Sequence, residues 1–350
     1  MNKRNIIVIG ASAGGFEVLK QIVAGLPSTL DASIFIVWHM SADIRGILPE
    51  VLNKQQTIIA ANATDNEVIV SNRIYVAPPD RHLMIDNGTV RVTHGPKENR
   101  FRPAVDPLFR SAAFAYKERA IGVILSGALD DGVAGLWAIK NYGGTSIVQD
   151  PADAQVSGMP LNAIRQVAVD YIVPASGIAD LLTRLCNEPI KLSNNPAMEE
   201  NDSKKNELKI ALQDEHYTEK VMQFGELTPY TCPECHGVLS SIKEGNRERF
   251  RCHTGHAFSA DTLLQTLTEN IEHSLWSALR GIEESVMFLN HMGDHFSEVN
   301  QPHLAALYFK KANEASDRIK IIRRAILQHE ELNADIIKDN ADRINQLILS

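Results

Sequence analysis

Short apolar runs alternate with amphipathic segments along the first half of the chain. The runs at 6–9, 34–38 and 120–125 are almost entirely apolar, which is typical of strands buried on both faces. Apolar positions recur at helical spacing after the first run, at 16–23, and again at 178–185. This alternation predicts an α/β fold built on a doubly wound, mostly parallel sheet of the Rossmann-like type.

The pattern changes after Cys186. The next stretch holds many charged and amide side chains and few large apolar ones, which indicates a linker. We therefore divide the chain into an α/β domain at 1–190, a linker at 191–225, a small module at 226–260 and a helical hairpin or bundle at 261–350.

Two helices are predicted in the last part of the chain. Leu and Ile recur at helical spacing beyond Ser259, with charged residues between them. Helix-breaking residues at 293–294 and at 300–302 separate a first helix from a second one, which runs from about His303 through Leu327 and continues or restarts toward Leu347. Their apolar stripes can pack internally, against another chain or against the α/β domain, and internal packing is the favoured interpretation.

Ser12 lies at the apex of a predicted strand–turn–helix segment. Gly10, Gly14 and Gly15 surround it, and glycine adopts the sharp turns of such a loop without steric cost. The helix that follows directs unpaired backbone N–H groups toward whatever the hydroxyl contacts. Ser12 is therefore a candidate nucleophile.

A glycine-rich turn of this kind also binds the pyrophosphate of a dinucleotide in many proteins. Here Ser12 replaces the second glycine of the G-x-G-x-x-G pattern. Such a site also needs an acidic residue at the end of the second strand, but Asp31 precedes that run and His39 follows it. A nucleotide site is therefore the disfavoured alternative.

His39 and Asp131 are candidates for the partners of Ser12. His39 follows the second apolar run, and Asp130 and Asp131 follow the run at 120–125 in a glycine-bounded turn. Taken singly, a histidine is more often structural, and a carboxylate here is more often a helix cap. Serine, histidine and aspartate at three strand ends together favour a nucleophile, a base and an orienting carboxylate.

The sequence resembles the catalytic domain of the CheB-type chemotaxis protein-glutamate methylesterases. The resemblance covers about residues 5–165 and rests on several blocks in the order of that family. They are VIGASAGG at 8–15, VWHM at 37–40, IYVAPPDRH at 74–82, RPAVDPLFRS at 102–111, SGALDDG at 126–132, QDP at 149–151 and GMP at 158–160.

The resemblance implies a Ser-His-Asp hydrolase that cleaves glutamate methyl esters on a chemoreceptor-like protein and releases methanol. Its nucleophile is Ser12, its base is His39 and its carboxylate is Asp131, with backbone donors near Ala13 and Ala128 for the oxyanion. The family also deamidates receptor glutamines, and its catalysis requires no cofactor.

Two positions beside the predicted site depart from the family. The family usually has Gly-Met-Gly where this chain has Gly-Ala-Leu at 127–129, and it usually has Gln where Trp38 stands. Both positions border the triad, so they bear on substrate fit and rate. A catalytically weak or inactive signalling adaptor is therefore the alternative function.

A second spacing pattern lies in the small module. Cys232 and Cys235 form C-x2-C, and Cys252 and His256 follow as C-x3-H after a strand-prone hairpin. Three thiolates and one imidazole suit tetrahedral zinc, and a metal would stabilise a module too small for a sufficient core. His253 and, more weakly, His236 are alternatives to His256 as the fourth ligand. A metal-free pair of turns with buried thiols is a further alternative.

Length and composition agree with a cytoplasmic protein of several domains. The chain has 350 residues, of which 22% are charged, and a net charge of -8, which argues against nucleic acid as the main partner. No apolar run is long enough to insert into a membrane. The first strand begins near residue 5, so we expect no N-terminal receiver domain of the kind the family often has. Regulation, or docking of a signalling partner, is then expected from the C-terminal half.

Overall fold

The computed structural model describes residues 3–39, 47–86, 88–190, 225–244, 247–330 and 332. Nearly all of the predicted linker at 191–225 lies outside these residues, as does the predicted continuation of the last helix toward Leu347. By its internal contacts the chain divides into two units, Met1–Thr262 and Leu263–Ser350. The divisions proposed near 190 and 225 stay predictions.

The first unit is built on a seven-stranded sheet in which every neighbouring pair is parallel. Its first nine strands in chain order are β1 (Ile6–Ala11), β2 (Ser33–Trp38), β3 (Ile59–Asn62), β4 (Arg73–Val76), β5 (His82–Asp86), β6 (Thr89–Thr93), β7 (Ala120–Ile124), β8 (Thr145–Gln149) and β9 (Tyr171–Val173). The sheet has the order β3-β4-β2-β1-β7-β8-β9, whereas β5 and β6 form a separate antiparallel hairpin.

Within the described ranges, six α-helices cover both faces of this sheet. They are α1 (Gly15–Gly25), α2 (Leu48–Asn53), α3 (Val105–Tyr116), α4 (Val133–Asn141), α5 (Gly158–Gln166) and α6 (Ala175–Asn187). Side chains alternate between faces along β1: Ile7 and Ile9 join the cluster formed with α1, α2 and α6. Ile6 and Val8 join the cluster formed with α3, α4 and α5. The predicted doubly wound architecture is confirmed.

The centre of the sheet is a topological switch point. The chain passes from β1 to β2 on one side, and later returns to place β7 on the other side of β1. In open parallel sheets, ligands bind outside the carboxyl ends of the strands at such a point. The carboxyl ends of β2, β1 and β7 are therefore the place to look for a site.

The small module is a four-stranded antiparallel sheet within the first unit. Its strands, in both chain order and spatial order, are β10 (Glu226–Thr231), β11 (Val238–Glu244), β12 (Arg247–Cys252) and β13 (Ala257–Ser259). We call this sheet with the segments that connect its strands, residues 226–259, the ribbon. The predicted hairpin after Cys235 corresponds to β11 and β12.

Two long helices follow, α7 (Ala260–Glu298) and α8 (Pro302–Leu327). Within the second unit they run antiparallel, since Phe296 stacks on Tyr308 and Glu283 pairs with Arg323. The predicted break at 293–294 is wrong, because one glycine costs a helix only about 1 kcal/mol. Gly293 instead admits the ring of Phe309, which a Cβ would meet at 2.6 Å. No helix in the described ranges is both long and apolar enough to cross a bilayer.

Candidate active site

Ser12 and His39 follow two neighbouring parallel strands. Ala11 at the end of β1 is paired with Trp38 at the end of β2. The His39 N–H extends this ladder by donating to the Ala11 carbonyl at 3.0 Å. On the other side of β1, the Ser12 N–H donates to the Ser126 carbonyl at 2.9 Å. Ser12 is thereby fixed between the end of β2 and the loop that follows β7.

The loop after β7 brings Asp131 to the same edge of the sheet. Its carboxylate is buried, and Oδ2 accepts a hydrogen bond from Nε2 of His39 at 2.8 Å. The next residue, Gly132, begins the turn into α4 with a φ of 91°, a left-handed conformation that favours glycine. Two candidates predicted from separate strand ends are therefore in direct contact.

This hydrogen bond decides which ring nitrogen of His39 can act as a base. Nε2 carries the proton that Asp131 accepts, so the neutral ring keeps its lone pair on Nδ1. Nδ1 is buried and has no hydrogen-bond partner among the described residues. The hydroxyl of Ser12 is thus not bonded to Nδ1 in the free protein, and such bonds often form only when substrate is bound.

Asp131 is held as a carboxylate. Burial alone would raise its pKa, but the hydrogen bond and charge of His39 and the backbone N–H of Val105 bring the pKa below its usual value. The Val105 N–H, at 2.6 Å from Oδ2, belongs to the first residue of α3 and adds the positive end of the helix dipole. An ionised carboxylate in this position can stabilise a charged imidazole.

Two further buried carboxyl groups flank Asp131. Burial and the charge of Asp131 raise the pKa of Asp106 on α3. Burial also raises the pKa of Asp130 to about 6, although hydroxyl hydrogen bonds from Ser259 and Thr262 lower it in part. Of the three carboxyl groups, Asp131 alone accepts a hydrogen bond from the ring of His39 in the described residues.

The two candidate oxyanion donors are exposed at this edge. The backbone N–H groups of Ala13 and Ala128 have no hydrogen-bond partner among the described residues, so both can bind a ligand oxygen. Gly127 permits a close approach, because a Cβ there would lie 2.7 Å from Cβ of Ser12. Leu129 has a φ of 63°, a left-handed conformation that suits the glycine usual in the resembling sequences.

Trp38 replaces the glutamine expected from the resemblance. Its indole N–H donates to the Ser12 carbonyl at 3.1 Å, and its ring packs against Phe16 with centroids 5.1 Å apart. Trp38 therefore supports the backbone of the serine turn from behind. The departure leaves the contact between His39 and Asp131 in place.

The four predicted metal ligands converge in the ribbon. The ligand atoms of Cys232, Cys235, Cys252 and His256 all lie within 4.8 Å of one another, with Nδ1 of the histidine facing the thiols. The Cys235 and Cys252 sulfurs are 3.6 Å apart, and the Cys252 sulfur is 3.6 Å from Nδ1. Tetrahedral zinc bonds of ordinary length would give separations of about 3.8 Å and about 3.6 Å.

A comparison with known families decides the relationship. The sequence model of the family described as CheB methylesterase matches residues 7–182, which is half of the chain. The chain belongs to the CheB methylesterase family. The matched residues contain all of the seven-stranded sheet except its first residue, Ile6, and all three triad candidates, and they end before the ribbon begins.

Individual proteins that resemble this CheB-like chain carry names of the same family. A Leptospira interrogans protein named "Putative protein-glutamate methylesterase/protein-glutamine glutaminase" is 42% identical over 180 residues, which are 51% of this chain and 93% of that protein. An Anaeromyxobacter dehalogenans protein named "Protein-glutamate methylesterase/protein-glutamine glutaminase 5" is 38% identical over 52% of this chain and 51% of its own length. The crystal structure of the Thermotoga maritima CheB methylesterase catalytic domain has 36% identity and a TM-score of 0.50, covering 53% of this chain and all of that domain.

Two residues that contact the candidate triad carry no strong sequence signal. Asn99 donates from Nδ2 to Oδ1 of Asp131 at 3.0 Å, and the ring of Phe101 stacks on the imidazole of His39 with centroids 3.7 Å apart. Both belong to a tight turn whose usual sequence signal is Asn-Gly. Arg100 takes the place of that glycine, so the signal is weak.

Proposed function

We propose that this protein is a serine esterase that removes methyl groups from glutamate side chains of a chemoreceptor-like protein. The observation that carries the proposal is the buried hydrogen bond between His39 and Asp131 beside Ser12, in a chain of the CheB methylesterase family. The relatives' names support both the substrate class and a second activity, the deamidation of glutamine.

Ester hydrolysis proceeds through an acyl-enzyme. Nδ1 of His39 takes the proton of Ser12 as the hydroxyl oxygen attacks the ester carbonyl, and Asp131 stabilises the charged imidazole. The imidazole then protonates the leaving methoxide, which departs as methanol. Water attacks the acyl-enzyme with His39 again as base, and the products are a free carboxylate and regenerated Ser12. With glutamine as substrate, the same acylation releases ammonia.

The N–H groups of Ala13 and Ala128 bind the oxyanion in both steps. Each donor of this kind typically contributes about 3 kcal/mol to the transition state. In each step of this reaction the proton is donated or accepted by a side chain, by water or by the leaving group. These steps therefore require no metal or organic cofactor.

The function is tested by the release of labelled methanol from a methyl-³H receptor. The full chain is compared with Ser12→Ala and with Ser285→Ala, a control at an exposed serine of α7. We expect release by the wild type and the control and background release by Ser12→Ala. Background release by all three, with a receptor that another methylesterase demethylates, would favour the adaptor function instead.

We propose in addition that Cys232, Cys235, Cys252 and His256 hold a structural zinc ion. Their donor set and separations fit tetrahedral zinc, which would join the turn between β10 and β11 to the turn between β12 and β13. Elemental analysis of the full chain should give about one zinc per chain, reduced in Cys235→Ser and kept in Cys186→Ala. Equal zinc in the two variants would contradict the site. A cytoplasmic location and a signalling partner for the C-terminal half stay predictions.

A further inference from the structure

A two-residue β-turn lies between the ribbon and the candidate triad. Glu98 and Phe101 exchange backbone hydrogen bonds at 3.2 and 2.9 Å, which closes the turn. Asn99 and Arg100 at its tip have φ values of 48° and 75°, the positive pair that defines a type I′ turn. We call residues 98–101 the bridging turn. Asparagine tolerates a positive φ better than most residues do, so Asn99 suits the first position at the tip.

One side of the bridging turn contacts the triad. Nδ2 of Asn99 donates to Asp131 at 3.0 Å and to Asp106 at 3.1 Å. Phe101 stacks on His39 with an angle of 9° between the ring planes. The turn thus contacts both the base and its orienting carboxylate, although it contributes no member of the triad itself.

The other side of the bridging turn is bonded to the ribbon. The Asn99 N–H donates to the Ala257 carbonyl at 2.8 Å, and the Ser259 N–H donates to Oδ1 of Asn99 at 3.0 Å. These bonds fix the side-chain amide, because Oδ1 must face Ser259 and Nδ2 must then face Asp131. Ala257 and Ser259 belong to β13, which begins directly after His256.

Buried charges connect the same turn to the candidate metal site. Glu98 is 1% exposed and pairs with Arg110 of α3 and with Arg249 and Arg251 of β12. Arg251 also donates to the Gly255 carbonyl at 2.7 Å, within the turn between two candidate ligands. A buried carboxylate without a cation partner costs folding free energy. The two arginines of β12 therefore stabilise Glu98 in its buried position.

The turn that holds Cys232 and Cys235 also contacts the chain beside the bridging turn. Nζ of Lys97, the residue before the bridging turn, lies 3.1 Å from the carboxylate of Glu234. Glu234 stands between Cys232 and Cys235. The turns that hold the four candidate ligands therefore contact Lys97, next to the bridging turn, and Glu98 within it.

We propose that Asn99 is a positioning residue for Asp131 and that the ribbon, through the bridging turn, sets the activity of the triad. The inference rests on the proposed esterase function. With the ribbon ordered around its metal, β13 holds the Asn99 amide toward Asp131. With the metal removed, that restraint is lost, the histidine is less well oriented and the rate of acylation falls, while receptor binding is unchanged.

The first experiment removes the Asn99 side chain. Asn99→Gly keeps the positive φ at low cost, and Asn72→Gly is the matched control, since Asn72 has a φ of 59° in an exposed turn where its amide donates to Ser28. We expect kcat for methanol release to fall about 10- to 100-fold in Asn99→Gly, as for a lost hydrogen bond to a charged group, with KM unchanged. A kcat equal to that of Asn72→Gly would overturn the proposal.

The second experiment removes and restores zinc in the full chain. A chelator should lower kcat of the wild type by a similar factor, Zn²⁺ should restore it, and neither treatment should change Asn99→Gly further, because both act through one contact. A zinc-depleted wild type with full kcat would overturn the coupling. Independent, multiplying losses from chelation and from Asn99→Gly would also overturn it.

A spectroscopic readout separates this inference from the proposed function. The ring ¹⁵N shifts of His39 report whether Nε2 carries the proton, and they need no substrate. We expect the Nε2–H form in the zinc-loaded wild type and a mixture of tautomers in Asn99→Gly and in the zinc-depleted protein. If methanol release is absent throughout, the proposed function fails, and this signature still decides the positioning role. An unchanged signature in both altered samples would overturn it.

Discussion

Asp130 provides a direct thermodynamic test of the electrostatics beside the candidate triad. Its carboxyl group is 5% exposed and accepts hydroxyl hydrogen bonds from Ser259 at 2.8 Å and Thr262 at 3.0 Å. Burial raises its pKa from 3.8 to about 6, despite these two donors. The change to test is Asp130→Asn, because an amide oxygen can keep both hydroxyl bonds while the group no longer ionises.

The sign and size of the effect follow from this pKa. The folded chain binds the Asp130 proton more tightly than the unfolded chain, so the free energy of unfolding falls as pH rises from about 4 to about 6. About two pKa units correspond to about 3 kcal/mol. At pH 4 the unfolded carboxyl is already partly ionised, so between pH 4 and pH 7.5 the stability of Asp130→Asn relative to wild type should rise by about 2.5 kcal/mol.

Urea unfolding at several pH values measures this difference. A Trp276→Phe background leaves Trp38 and Trp137, both in the first unit, as the fluorescent reporters. Asp31→Asn is the matched control, since Asp31 also accepts a serine hydroxyl bond at 2.8 Å but is exposed. A pH dependence of Asp130→Asn identical to that of the wild type would refute the reasoning.

Three further substitutions test the site. Asp131→Asn should lower kcat for methanol release about 10⁴-fold, because both oxygens accept N–H donors and an amide would misorient His39; retention of one tenth of the activity would contradict this role. Leu129→Gly should raise the free energy of unfolding by about 1 kcal/mol by relieving a left-handed φ of 63°, and a loss in the same urea assay would show that the leucine side chain matters more. Gly127→Ala should lower kcat about 100-fold with an unchanged circular dichroism spectrum, since its Cβ would collide with the Met159 sulfur and lie 2.7 Å from Cβ of Ser12, so that Ser12 has to move; wild-type kcat would refute the close approach.

Much of the fold could be predicted from local pattern. Buried parallel strands are continuous apolar runs, and a parallel sheet places their carboxyl ends together, so Ser12, His39 and Asp131 could be expected at one edge. The helices of the second unit also follow from spacing. Gly293 misled the prediction because a glycine that ends a helix and one that admits a neighbouring ring look alike in sequence.

The parts that sequence did not reveal depend on long-range contacts. Asn99 donates to Asp131, and its amide oxygen accepts a hydrogen bond from β13, about 160 residues later in the chain. The choice between His253 and His256 is similar: the ring of His253 lies against Gly237, whereas Nδ1 of His256 faces the thiols. Neither arrangement can be read from neighbouring residues, since each depends on contacts with a segment that is distant in the sequence.

The most direct test of the central claim is the rate at which a fluorophosphonate labels Ser12 in the full chain, mapped by peptide mass spectrometry. Such probes phosphonylate serines that an adjacent base activates, with fluoride as the leaving group, and the assay does not depend on the identity of the receptor. We predict stoichiometric labelling at Ser12 that is lost in Ser12→Ala and slowed at least 100-fold in His39→Gln. Labelling at another serine, or equal rates in wild type and His39→Gln, would contradict an active site formed by Ser12, His39 and Asp131.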